Sequence, residues 1–126
     1  MFVFFNSNPD AKRVGDCTVR AIAKAMCSEW EQTYLALCVE GLRLHDMPSA
    51  NSVWGSYLKA NGFKQRALPD TCPECYTVAA FADDHKQGTY ILALSGHVVA
   101  IVDGNYYDTW DSGDEVPVYY FKREEN

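Results

Sequence analysis

The sequence predicts an α+β domain in which N-terminal helices pack on a C-terminal antiparallel sheet. Three observations carry that reading. Between residues 16 and 60 apolar side chains recur at helical spacing, whereas from residue 90 onward β-rich runs alternate with short Gly-containing turns. Helices followed by consecutive strands give an α+β arrangement rather than a wound parallel sheet. Finally, 126 residues with 48% apolar content supply one hydrophobic core and are too few for two ordinary domains, so residues 1–126 are read as a single domain.

The elements follow in chain order. Met1 to Phe5 reads as a first strand or core anchor, and a turn forms around Pro9. A first helix runs from Asp16 to about Met26, with Val19, Ile22, Ala23 and Met26 on one face and Thr18, Arg20 and Lys24 off it. Ser28-Glu29-Trp30-Glu31 reads as a capping box opening a second helix, whose inner face is Trp30, Tyr34, Leu37 and Cys38 and whose stop is Gly41. After a loop from Leu42 to Pro48, a third helix spans about Ser49 to Ala60, with Val53, Trp54, Tyr57 and Leu58 on one side and Asn61-Gly62 at its end. Phe63 to Leu68 reads as a short strand or extended arm, and Thr77 to Asp84 as a short helix after the loop holding Pro69 and Pro73. The remaining strands are Tyr90 to Leu94, Val98 to Val102, Tyr106 to Trp110 and Val116 to Phe121.

Composition narrows the function. A net charge of -6 and a pI near 4.9, with only Lys12-Arg13 and Lys122-Arg123 as basic clusters, argue against nucleic acid as partner, because phosphate binding needs clustered cations. No apolar run approaches bilayer length, so no membrane partner is expected and the protein is read as intracellular. Five cysteines, an odd number without a secretory signal, are read as reduced thiols, with Cys27 and Cys38 as small buried side chains in helices. Cys72-Pro73-Glu74-Cys75 has a spacing shared by zinc knuckles and redox loops, but it is half a metal site whose nearest complement, His85, stands alone, and redox chemistry is the weaker of the two readings. No cofactor or metal is expected. His45 and His85 read as ordinary loop and helix-end histidines.

The reactive chemistry is placed by two distant segments. In Gly15-Asp16-Cys17 the aspartate can cap the first helix and Cys17 falls in its first turn. There the open backbone amides and the helix dipole favour thiolate and can face a developing oxyanion. His97 opens a strand whose hairpin partner follows through Asp103-Gly104, a two-residue turn signal. With that turn Val102 faces Asn105, Val99 faces Asp108, and Asp108 lies diagonal to His97 on the same face, about 7–8 Å away at Cα. A three-residue loop would instead bring Asp111 opposite His97. The shorter loop makes Asp108 the orienting residue.

These residues carry a resemblance. Gly-x-Cys at a helix head, a distant His97-Val98-Val99-Ala100-Ile101-Val102 strand and Asp108-Thr109-Trp110 resemble the papain-like cysteine peptidases, the Asp as third member being closer to their bacteriocin-processing branch. The stretches Gly15 to Ile22 and Tyr107 to Ser112 are also similar to small proteins encoded by bacteriophages and prophages. The resemblance covers the two ends of the chain. It implies a papain-like fold, Cys17 as nucleophile, His97 as general base and acid, Asp108 as the residue orienting the imidazole, and Trp110 shielding that hydrogen bond. Asp16 and Trp110 are cleft candidates, and the loops Leu42 to Ala50 and Cys72 to Cys75 candidate cleft walls. The implied partner is a peptide or protein substrate, and the implied setting the cytoplasm of a bacterial host.

The chain departs from the family where a Gln donates to the oxyanion, since that position is Ala11. Asn6 and Asn8 are the candidate replacements, and both also read as turn formers. Two functions from different classes follow: a thiol hydrolase working through an acyl-enzyme, or a catalytically weak or inactive binding module using the same cleft.

Overall fold

The computed structural model describes residues 1–124, which form four helices and one six-stranded sheet, a mixed α+β architecture. In chain order these are β1 (Phe2–Phe4), α1 (Cys17–Met26), α2 (Trp30–Leu44), α3 (Asn51–Ala60), β2 (Phe63–Ala67), α4 (Val78–Asp84), β3 (Thr89–Leu94), β4 (His97–Val102), β5 (Asn105–Asp108) and β6 (Tyr119–Arg123). The strand order is β1-β5-β4-β3-β6-β2. Four of the five pairings are antiparallel, but β1 runs parallel to β5, with Phe2 opposite Tyr106 and Phe4 opposite Asp108. The sheet is therefore mixed. The N-terminal segment reaches the free edge of β5 across the whole intervening chain, a long connection of the kind that parallel pairing requires.

The β4–β5 hairpin has the tight register. Val102 pairs with Asn105, Ile101 with Tyr106 and Ala100 with Tyr107. Asp103 (φ 50°) and Gly104 (φ 83°) are both left-handed, the backbone that a type I′ turn demands and that Asp-Gly supplies. Continuing the ladder sets Asp108, the last residue of β5, diagonal to His97, the first of β4.

Alternation along the strands divides the core in two. Ile91, Ala93, Val98, Ala100 and Phe121 bury against Ala21, Ile22 and Ala25 of α1, Leu37 of α2, and Trp54 and Leu58 of α3. Tyr90, Leu92, Val99, Ile101 and Tyr106 point to the opposite face and pack with Val78, Phe81 and Ala82 of α4. The register pairs Ile91 with Ala100 and Leu92 with Val99, so each cluster is one side of the same pleated surface. Thr77 caps α4, its hydroxyl accepting from the Ala80 amide.

Several local expectations are revised. The capping box of α2 is one residue later than Ser28–Glu31: Glu29 and Gln32 make it, while Ser28 Oγ shares a hydrogen bond with Thr33 Oγ1. Gly41 does not stop α2, which runs on to Leu44 and ends at left-handed His45 (φ 57°). Gly41 is buried because the returning loop passes over it: an added Cβ would lie 2.7 Å from the Asp46 carbonyl oxygen. Tyr34, placed on the inner face by periodicity, is instead half exposed and stacks on Trp30. Cys27 is exposed at the left-handed C-cap of α1 rather than buried. Cys72 and Cys75, expected reduced, are joined as a disulfide; their Cα atoms are 4.4 Å apart, within bridging range, because the two-residue spacer folds the loop back on itself. Among the described residues no helix is long and apolar enough to cross a membrane.

Candidate active site

Three of the predicted residues converge at one end of the sheet. The first residue of α1, Cys17, meets the first residue of β4, His97, and the last of β5, Asp108. His97 Nε2 donates to Asp108 Oδ2 at 2.6 Å, the carboxylate being able only to accept. That leaves Nδ1 as the ring nitrogen free for Cys17, which lines the same cavity as His97 and whose titration the imidazole influences. Trp110 covers the ring, with centroids 5.1 Å apart, and is itself half exposed. Asp111 points away from the pair and accepts from the Tyr106 hydroxyl and the Gly113 amide.

The electrostatics follow from this geometry. Burial pushes the Cys17 thiol up, but the His97 hydrogen bond and charge, the Val98 amide and the Thr18 side chain outweigh it and leave the thiol below its ordinary value. Burial likewise opposes a charged His97, yet the Asp108 hydrogen bond, followed by Cys17, raises it to about 9. For Asp108 burial is again the opposing effect, overcome by donors from His97, Ser112 and the Thr109 amide, so the carboxyl stays below its ordinary value. A lowered thiol beside a raised imidazole shifts the pair toward its thiolate–imidazolium form, and the two titrate as a unit.

Asp108 is fully buried and accepts four hydrogen bonds. Oδ2 takes His97 Nε2 and Ser112 Oγ, while Oδ1 takes Arg20 Nη2 at 2.9 Å and the Thr109 amide. Arg20, expected off the apolar face of its helix, is therefore buried as an ion pair; its other Nη donates to Asp16 at 2.6 Å. Asp16 Oδ2 also accepts from Trp30 Nε1. Asp16 stands at the N-cap position but caps nothing with its side chain, because Arg20 one turn on takes the carboxylate. The outcome is a buried run in which acids and bases alternate, Asp16, Arg20, Asp108 and His97, each paired with its neighbour. Arg20 and Ser112 were missed in the sequence. Signals existed, in the i,i+4 spacing of Asp16 and Arg20 and the four-residue spacing of Asp108 and Ser112, but neither says that the side chains turn inward.

Asn6 and Asn8 are not at the site. Asn6 Nδ2 donates to the Lys12 carbonyl and its Oδ1 accepts the Asn8 amide, while Asn8 Oδ1 accepts the Asp10 and Lys12 amides. Their short side chains are consumed in folding the loop before α1, so the turn-forming role is the one observed. The cavity over Cys17, about 250 Å³, is lined instead by Gly15, Thr18, His97, Val98 and, from the start of α3 and the loop before it, Ser49, Asn51 and Trp54. Asn51 Oδ1 accepts from Trp54 Nε1 at 3.0 Å; an indole can only donate, so the carboxamide orientation is fixed and Nδ2 carries the free donors. Of the two loops expected as cleft walls, the one before α3 supplies Ser49, whereas the Cys72–Cys75 loop contributes nothing to this cavity. Among the described residues no cluster of three or more His, Cys, Asp or Glu is arranged to hold a metal ion.

Compared with protein-family models, curated proteins and solved structures, the chain matches none.

Proposed function

We propose that this protein is a papain-like thiol hydrolase that cleaves a peptide, isopeptide or side-chain amide through an acyl-enzyme. The observation that carries the reading is Cys17 at a helix start, lining one cavity with an imidazole whose Nε2 is held by a buried carboxylate at 2.6 Å. The papain-like class, with N-terminal helices on the sheet, is supported by the same order of parts: helix-start Cys, strand-start His, and the acid on the following strand. A phage-encoded protein working in a bacterial host's cytoplasm is the setting that goes with it.

In the reaction the Cys17 thiolate attacks the carbonyl carbon, forming the C–S bond and moving the C=O electron pair onto oxygen. The Cys17 amide, at the head of a helix with no side-chain cap, is one donor to that oxyanion. Asn51 Nδ2, across the cavity, is the second, in place of the Gln that the family carries where Ala11 stands. His97 Nδ1 gives its proton to the leaving nitrogen as the C–N bond breaks. Water then loses a proton to Nδ1 and attacks the thioester, releasing the acid and restoring the thiolate. Asp108 holds the ring throughout and Trp110 screens that hydrogen bond.

The second reading is a binding module that retains the cleft without turnover, favoured by Ala11 and by the commitment of Asn6 and Asn8 to their loop. A peptidyl vinyl sulfone separates the two from an ordinary thiol. The hydrolase requires adduct mass on Cys17, absent in Cys17→Ala and strongly slowed in His97→Ala. Equal labelling of Cys17, Cys27 and Cys38, indifferent to His97, would sink both catalysis and the activated cleft.

A further inference from the structure

A second cavity of about 300 Å³ opens between α1, α2 and the loop before α3, and it shares Gly15, Thr18 and Ser49 with the cavity over Cys17. The two adjoin at these residues. The second cavity's walls are Val14, Val19, Trp30, Tyr34, Leu37 and Pro48. Leu37 forms a buried wall, and Trp30 and Tyr34 stack 5.1 Å apart and nearly parallel. The indole is held in place because its Nε1 donates to Asp16. Asp16 is the charged residue of this lining, but its carboxylate is taken up by Arg20 and Trp30 and presents no free charge. At about 300 Å³ the space is at the small end of ligand pockets, the size for one side chain rather than a whole ligand.

The chemistry fixes which part of a substrate can enter. The leaving nitrogen must be where His97 can protonate it, and the far side of His97 is a different cavity, bounded by Trp110, Asp114 and Glu115. A carbonyl carbon over Cys17 with its leaving group on the His97 side directs its acyl side toward Gly15 and the α1–α2 cavity. Resting on the hydrolase reading, we propose that this cavity is the acyl-side specificity pocket and that it selects substrates with a large apolar side chain next to the scissile carbonyl. The lining is mainly apolar, so a charged side chain would be desolvated there with only the Thr18 and Ser49 hydroxyls as neutral polar neighbours.

The test is a set of acetyl-aminoacyl chloromethyl ketones differing only in side chain: Phe, Leu, Gly, Asp and Lys. The thiolate sulfur displaces chloride, so the alkylation rate of Cys17, read by intact and peptide mass, reports acyl-side fit with one leaving group throughout. The pocket requires the Phe and Leu reagents to react with Cys17 at least about tenfold faster than Gly, and Asp and Lys to be slowest. Val14→Asp, at an exposed position on the rim, then reduces the Phe to Gly rate ratio by about the same factor. A Cys17 that reacts rapidly and with dependence on His97, but equally with all five, overturns the pocket and leaves the hydrolase standing. A Cys17 no faster than Cys27 or Cys38 with every reagent overturns both.

Discussion

At the scale of single residues the site depends on which atoms are donors. All four groups around the Asp108 carboxylate donate to it; His97, Ser112 and the Thr109 amide keep its carboxyl below the ordinary value against burial, and Arg20 pairs with it at 2.9 Å. Removing that cation leaves two carboxylates, Asp16 and Asp108, without it in a dry environment. Arg20→Leu is therefore expected to lose about 3–5 kcal/mol of folding stability in urea denaturation, and a loss under about 1 kcal/mol would contradict the ion-pair account. Asn51 allows a cleaner dissection. Asn51→Asp keeps an acceptor for Trp54 Nε1 but replaces the Nδ2 donor with an anionic oxygen facing the oxyanion. The variant should fold normally and lose about 10²–10³ in kcat on any amide the wild type cleaves, whereas unchanged kcat would remove Asn51 from the reaction. In the sequence Cys17, His97 and Asp108 were legible because each has a characteristic local setting. Asn51 was not, since an Asn at the head of a helix is the commonplace signal of a cap, and only the chain's return path brings it over the thiol.

At the scale of elements the hairpin does most to assemble the site. Its two-residue turn decides which acid shares a face with His97, and Asp103-Gly104 announced that turn because few residues accept left-handed backbone at both positions. Asp108 in place of Asp111 follows from the register alone. Gly104→Ala should cost about 1–2 kcal/mol, because its φ of 83° is strained for an L side chain and an added Cβ meets Lys86 Cα at 3.3 Å. An unchanged denaturation midpoint would show that the turn relaxes. The helices were less legible. Thr18 and Arg20 are buried although they lie off the apolar stripe of α1, because periodicity scores hydrophobicity and cannot see a carboxylate waiting on a neighbouring strand. The late end of α2 was hidden for a related reason: Gly41 reads as a stop, but here its missing side chain makes room for the loop at Asp46.

For the whole molecule, the α+β class was legible from the change of period near residue 90. The parallel pairing of β1 with β5 was not, because no local pattern specifies which sheet edge a distant three-residue strand will join. Folding is what joins the two ends of the chain, with α1 from one third and the β4–β5 hairpin from the last, so the reactive pair exists only in the folded state and must leave a mark on stability. His97 has a folded value of about 9 against an ordinary 6.5, so its contribution is fully present below about pH 6.5 and fades as pH rises through about 9. The stability gap between wild type and His97→Ala should accordingly reach about 3 kcal/mol on the acid side of that window and close above it; a gap that widens toward high pH would reverse the assignment. The central claim, that Cys17 and His97 form a thiolate–imidazolium pair, is tested most directly by the pH dependence of iodoacetamide alkylation at Cys17, resolved from Cys27 and Cys38 by peptide mass. The account predicts a rate already high near neutrality, changing little until His97 titrates near pH 9, with that neutral-pH reactivity lost in His97→Ala. A rate that climbs with pH like that of an ordinary thiol and is the same in both proteins would contradict it.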